Sequence, residues 1–233
     1  MPLNSLREEF IAFAVRANVL LFGEFTTKAG RLSPYFFNAG LFNRGALLGQ
    51  LAQFYAKTLA AAERQRGIRF EMLFGPAYKG ITLASATAVA FSQLPEAEGG
   101  RDIAFAYNRK EAKDHGEGGT IVGAKLSGNV VIVDDVISAG TSVRESVELI
   151  RAAGATPCAV LIALDRQERG GNADVLSTHS AAEEVEHDYG IPVLSIANLD
   201  DIMRYVEGTE AASLKGHAAA IAQYRSRYGI GQR

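Results

Sequence analysis

Asp134 and Asp135 stand side by side where the apolar run Val130-Val131-Ile132-Val133 ends, and Ser138-Ala139-Gly140-Thr141-Ser142 follows two residues later. Adjacent carboxylates accept hydrogen bonds from sugar hydroxyls or steady a developing positive charge; facing a phosphate, they would repel it. The loop after them has the opposite chemistry. Its backbone N–H groups, at the positive end of a following helix, can hold a phosphate. Hydroxyls of Ser138, Thr141 and Ser142 add donors, and Ala139 and Gly140 leave room for close backbone approach. Phosphate at one end and vicinal hydroxyls at the other describe a ribose 5-phosphate. Paired acids here also suit a helix cap or the start of a turn. The buried strand before them and the Gly-Thr-Ser after them weigh toward the ligand.

Cations gather in two further places. Asn108 to Gly119 holds Arg109, Lys110, Lys113 and His115 and is otherwise polar and Gly-rich. It reads as a mobile, exposed loop able to close over an anion, or as a solvated charge run. Phe74-Gly75-Pro76-Ala77-Tyr78-Lys79-Gly80 reads as a strand-to-helix turn with Lys79 at its tip, a second place for an anion or an ordinary turn with a surface lysine. Arg166 follows the apolar run Ala159 to Leu164 and suits bidentate pairing with a ligand carboxylate, or an ion pair with Glu168 or Asp165. Lys28, beside Gly30 in a turn, says nothing alone. Cys158 and Met72 read as core, and His187 as part of a solvated acidic helix.

Alternating helical and strand-like segments must position these groups. Helical stripes run over Leu3 to Val15, Ala46 to Ala62, Ile81 to Leu94, Ser142 to Ala153, Asp200 to Tyr205 and Thr209 to Tyr228. Strands are expected at Val19–Phe22, Tyr35–Phe37, Phe70–Phe74, Ile103–Tyr107, Val130–Val133, Ala159–Leu164 and Ile191–Ile196. The alternation is that of an α/β sheet protein, with the wholly apolar Val130–Val133 as a central parallel strand.

The 233 residues carry 24 Lys and Arg against 26 Asp and Glu, a formal charge of −2, which argues against a protein that coats nucleic acid or an anionic membrane. With 48% hydrophobic and 21% charged residues the chain is that of a folded globule rather than a disordered one. One cysteine excludes an intramolecular disulfide, no run is long and apolar enough to span a membrane, and the first residues lack a secretory pattern. A cytoplasmic enzyme-like domain is expected. No Gly-x-Gly-x-x-Gly follows a strand, and His and Cys show no paired ligand spacing. Gly118 to Lys125 misses the Walker pattern, with its lysine one place late and Leu126 where Ser or Thr should follow.

In chain order, Phe22-Gly23-Glu24-Phe25-Thr26, Arg31 to Gly40, Phe74 to Gly80, Asn108 to Gly118, Val133 to Thr141 and Asp165 to Gly170 together resemble the orotate phosphoribosyltransferases. The Asp-Asp-x-x-x-x-Gly-Thr stretch alone resembles phosphoribosyltransferases at large; the loop around Lys113 and Ser33-Pro34-Tyr35-Phe36-Phe37 narrow it to orotate. The resemblance implies a type I phosphoribosyltransferase fold. This is one α/β domain over residues 1–233, a Rossmann-like central parallel sheet flanked by helices, with a flexible catalytic loop and a small N-terminal hood from about residues 1–45 and part of the C-terminal region. It implies transfer of phosphoribose from phosphoribosyl diphosphate to orotate. It places Asp134 and Asp135 on the ribose hydroxyls and Val136, Ile137, Ser138, Ala139, Gly140, Thr141 and Ser142 around the 5-phosphate. Lys28, Tyr78, Lys79, Arg109, Lys110, Lys113 and His115 would address the diphosphate, and Phe36, Phe37, Ser138 and Arg166 orotate. Lys113, Asp134 and Asp135 would be catalytic. Mg²⁺ would be held mainly by diphosphate and ribose oxygens, with no direct protein ligand. A homodimer is implied, each loop closing over the partner's site, with no nucleic acid or membrane partner. Ser138 and Ser142 stand where relatives often carry Thr and Ala; Ser138 keeps the hydroxyl. A purine-type phosphoribosyltransferase shares the ribose-phosphate site. A regulator built on this fold would not need the basic loop, and a receiver-like domain would not explain Lys79 or Lys113.

Overall fold

The residues Val130–Val133 are all fully buried, yet they divide between two cores. Val131 and Val133 join Leu73, Leu161 and Ala163 on one face, while Val130 and Ile132 join Met72, Phe74 and Ile162 on the other. Side chains of a strand alternate, so an uninterrupted apolar run requires cover on both faces.

The structure, a computed structural model, describes residues 3–27, 29–113, 119–171 and 175–230. The chain opens with α1 (Leu3–Arg16), the hairpin of β1 (Leu20–Thr26) and β2 (Leu32–Phe37), and the long helix α2 (Gly45–Arg66). Then come β3 (Met72–Gly75), α3 (Lys79–Ser92), β4 (Ala104–Lys113), β5 (Gly119–Gly123), β6 (Asn129–Val133), α4 (Thr141–Ala152) and β7 (Thr156–Asp165). A small hairpin, β8 (Arg169–Gly171) and β9 (Leu176–Ser180), leads into α5 (Ala181–Tyr189), β10 (Val193–Asn198), α6 (Leu199–Gly208), α7 (Ala212–Lys215) and α8 (Ala218–Tyr228).

The main sheet has the order β10-β7-β6-β3-β4-β5. Its first five strands are parallel, and β5 closes the edge antiparallel to β4. From β3 the chain steps to β4 on one side and later returns to β6 on the other. The crevice beyond β3 and β6 is therefore the topological switch point, where open α/β sheets bind ligands. Residues of α1, α2 and α3 cover one face of the sheet, and α4 and α5 the other. Phe10 packs on Phe54 at 5.4 Å and Phe13 on Phe42 at 5.2 Å, tying α1 to α2 and to the turn before it. Each such ring contributes roughly 1.5–3 kcal/mol by burial.

Three expectations are corrected. Asn108 to Lys113 continues β4 instead of forming a loop: Asn108 pairs with Ile121 and Lys113 with Gly119. A hairpin ribbon that projects past the parallel sheet needs no apolar alternation, so its polar residues concealed the strand. The helix expected over Thr209–Tyr228 is two helices, broken around Gly216. The β5 edge strand, a short Thr-Ile-Val run between two glycines, and the β8–β9 hairpin were not expected. The acidic helix holding His187 is α5, started by a reciprocal cap in which the Glu183 N–H donates to Ser180 Oγ at 3.2 Å and the Ser180 N–H to Glu183 Oε2 at 2.8 Å.

Candidate active site

Hydrogen bonding to β7 continues past the end of β6 and fixes the two acids. The Asp134 N–H donates to the Leu161 carbonyl at 3.0 Å, and the Ala163 N–H donates to the Asp135 carbonyl at 2.9 Å. Tyr55, fully buried on α2, donates its hydroxyl to the Asp134 carbonyl at 2.8 Å. The side chains then diverge in role. Asp134 accepts the Asp135 N–H at 2.9 Å and the Ser142 hydroxyl at 3.1 Å. Asp135 Oδ2 meets Lys79 Nζ at 2.5 Å. Burial, and then the neighbouring Asp135 charge, push Asp134 up to about 7, against the stabilising bonds from the Asp135 amide and Ser142.

After the acids the backbone turns at Gly140, whose φ of +69° is a left-handed conformation suited to glycine. Gly140 caps α4 without any side chain to accept the first-turn N–H groups. Ser138, Ala139 and Thr141 are exposed around this helix end. That is a phosphate-sized concentration of donors at the positive pole of a helix. The Ser142 hydroxyl, expected to join it, donates to Asp134.

Across the crevice, the β3–α3 turn presents Tyr78 and Lys79. Its glycines permit the approach: a Cβ on Gly80 would lie 2.8 Å from the Val133 carbonyl oxygen, and one on Gly75 2.0 Å from the Gly80 oxygen. The Ala77–Tyr78 peptide is cis, and the Ala77 N–H donates to Asn108 Oδ1 at 2.8 Å. Sequence reasoning assigned Asn108 no role; its side chain links the β3–α3 turn to β4. Lys110 Nζ lies 5.0 Å from the centre of the exposed Tyr78 ring. Arg109 Nη1 is buried without a hydrogen-bond partner among the described residues. Lys28 and His115 lie outside the described residues, as does the side chain of Lys113.

Arg166 follows β7, the neighbour of β6. Its Nε and Nη2 both reach Glu168 Oε1, at 2.9 and 2.7 Å, and Nη2 lies 3.4 Å from Ser33 Oγ. The Glu168 pairing weighed from sequence is therefore present, and it is largely buried rather than superficial. The guanidinium stacks 4.8 Å over Tyr35, whose hydroxyl donates to the same Glu168 oxygen at 2.9 Å. β2 thus contributes Ser33 and Tyr35 to this corner. Phe36 points outward against Phe25 at 5.4 Å, whereas Phe37 turns its ring into the core near Phe10 and Phe42. Consecutive strand residues face opposite ways, so the two rings cannot line one side of a ligand.

The β3, β4, β6 and β7 ends bring Lys79, Asn108, Arg109, Lys110, Asp134, Asp135 and Arg166 to one edge of the sheet. Among the described residues no three His, Cys, Asp or Glu side chains gather as a metal cage. Asp134 and Asp135 are hard oxygen donors at that edge. They fit a Mg²⁺ that draws most of its oxygens from a phosphorylated ligand.

A family model described as the phosphoribosyl transferase domain matches residues 48–189. The orotate phosphoribosyltransferase of Cupriavidus necator is 64% identical over 225 residues, 97% of this chain and 95% of that protein. The orotate phosphoribosyltransferase of Janthinobacterium sp. (strain Marseille) is 65% identical over 98% of this chain and the whole of that protein, covered to 100%. Among solved structures, the orotate phosphoribosyltransferase of Francisella tularensis superposes with a TM-score of 0.79 at 38% identity, covering 95% of this chain and 99% of that one.

Proposed function

The chain belongs to the orotate phosphoribosyltransferases, and from that premise we propose how its residues carry the activity. It is a pentosyltransferase of pyrimidine biosynthesis. It moves the 5-phosphoribosyl group of phosphoribosyl diphosphate onto orotate, giving orotidine 5′-phosphate and diphosphate. The observation that carries the assignment of roles is the β6–α4 turn, where two nearly buried acids precede a helix N-terminus without a side-chain cap. Val136 to Ser142 hold the 5-phosphate, and Asp134 and Asp135 accept the ribose hydroxyls.

Cleavage at the anomeric carbon builds oxocarbenium-like positive charge on the ribose. The two carboxylates favour that charge electrostatically, while Lys79, Arg109, Lys110 and Lys113, with Lys28, Tyr78 and His115, receive the departing diphosphate. A bound Mg²⁺ would be held mainly by diphosphate and ribose oxygens, with Asp134 and Asp135 orienting those ribose oxygens, and would supply neutralisation of the diphosphate charge. Orotate is held by Arg166 on its carboxylate, with Ser138 and the Phe36–Phe37 segment beside it. It attacks the face opposite the diphosphate and inverts the configuration. Little covalent work falls to the protein, and catalysis is positioning plus electrostatics.

We assign the chain to one domain, with the β1–β2 hairpin and the C-terminal helices as a hood. We also assign it to a cytoplasmic homodimer whose β4–β5 segment reaches over the partner's site; among the described residues no helix is long and apolar enough to cross a membrane. The direct test follows orotate absorbance after adding phosphoribosyl diphosphate and Mg²⁺ to purified protein, with hypoxanthine in a parallel reaction. Orotate consumption with hypoxanthine untouched is expected. The converse would make the chain a purine-type enzyme, and no turnover of either would remove the assignment.

A further inference from the structure

The C-terminal segment lies outside the residues matched by the family model and carries no recognisable motif. It nevertheless frames the corner where Arg166 sits. The Ile230 N–H donates to the Gln167 carbonyl at 2.9 Å, Gly229 bridges to Glu168, and Arg169 Nη2 donates to the Arg227 carbonyl at 2.7 Å. Arg31, stacked 5.0 Å over Tyr228, donates to the Arg169 carbonyl at 2.8 Å from the opposite side. Within this frame Tyr224 of α8 packs edge-on against Tyr35, with ring centres 6.3 Å apart. Tyr224 is only 5% exposed, and its hydroxyl lies beside Glu168 and Ser33 without completing a hydrogen bond to any described residue.

A buried hydroxyl without a partner is costly, of order 1–3 kcal/mol, and calls for an acceptor supplied in another state of the site. The candidate acceptor is next to it. Glu168 Oε1 takes bonds from Tyr35 and from two nitrogens of Arg166. On the function proposed above, the orotate carboxylate must share that guanidinium with Glu168, and two carboxylates competing for one cation repel each other. We propose that Tyr224 is a positioning residue for orotate: its hydroxyl donates to Glu168 as Arg166 turns toward the substrate carboxylate, keeping Glu168 in place behind the guanidinium. Burial, and then the Glu168 carboxylate, push Tyr224 up to about 12, so it is a proton donor throughout the neutral range.

The test compares steady-state kinetics of the full-length wild type, Tyr224→Phe, Glu168→Gln and the double variant. Phenylalanine keeps the ring packing on Tyr35 and removes only the hydroxyl. Tyr224→Phe is expected to raise KM for orotate about tenfold while KM for phosphoribosyl diphosphate stays at the wild-type value and the melting temperature does not fall, because the hydroxyl it removes is unpaired in the ligand-free protein. In the Glu168→Gln background the same change is expected to cost less than in the wild type, because the amide oxygen still accepts from Tyr224 but no longer carries the charge that competes for Arg166. An unchanged orotate KM, a parallel rise in both KM values, or a fully additive double variant would overturn the proposal. Wild-type protein that leaves orotate unconsumed would instead remove the function on which it rests.

Discussion

Asp134 and Asp135 are neighbours in sequence and differ in every partner. Asp135 is matched by a lysine; Asp134 is matched only by a hydroxyl and an amide, and burial beside a second acid raises it to about 7. The sign of the pH effect follows. Between the ordinary carboxylate range and about 7 the folded protein keeps a proton that the unfolded chain has released. Stability is greatest at the acid end of that window and falls as pH rises through it, by on the order of 2–4 kcal/mol. Urea unfolding of the ligand-free protein at pH 5 and at pH 7.5 should show this loss, and Asp134→Asn should flatten it. An equal slope in the variant would place the titration elsewhere. The acids were legible in sequence because an apolar strand ran straight into them. Asn108 and Tyr224 were not, since their roles come from partners about thirty residues or more away in sequence that only folding brings near.

Elements contribute by the closeness of their approach. The α3 N-terminus presents Lys79 to Asp135 only because Gly75 and Gly80 let the turn lie against β6. A methyl at Gly80 would meet the Pro76 Cδ at 2.5 Å and the Val133 oxygen at 2.8 Å, both on or tied to backbone. Gly80→Ala should therefore shift α3 outward and destabilise the fold by roughly 1–3 kcal/mol. It should also raise KM for phosphoribosyl diphosphate more than KM for orotate, because Lys79 moves and Arg166, just past the end of β7, does not. A thermal melt with both KM values checks this, and wild-type values throughout would show that the turn has slack. Strands with apolar runs, such as β6 and β7, were readable from composition. The outer half of β4 was not, because its residues pair with β5 as a ribbon beyond the covered sheet, where polar side chains satisfy the structure equally well.

At the scale of the whole molecule, the chain folds its two ends onto one corner. The β1–β2 hairpin supplies Ser33 and Tyr35, the C-terminal segment supplies Tyr224, and both close on Arg166 between them. The opposite side of the crevice has no comparable cover from described residues of the same chain: Lys79 is more than half exposed and Tyr78 is 69% exposed. Water at that side would weaken each contact to a departing diphosphate, and on the proposed function the β4–β5 segment is what would exclude it. A homodimer in which this segment serves the partner's site makes a prediction that a self-contained subunit does not. Lys113→Ala removes a cation from the reaching segment, and Asp135→Asn damages the receiving site. Each variant alone should be nearly inactive. Unfolded together and refolded, or exchanged slowly at low concentration, about half the dimers become hybrids, each with one intact site, and roughly a quarter of wild-type activity should return. If each segment covers its own site, every site in the mixture carries one of the two lesions and no activity returns, which would refute the exchange across the interface while leaving the chemistry at the β6–α4 turn untouched.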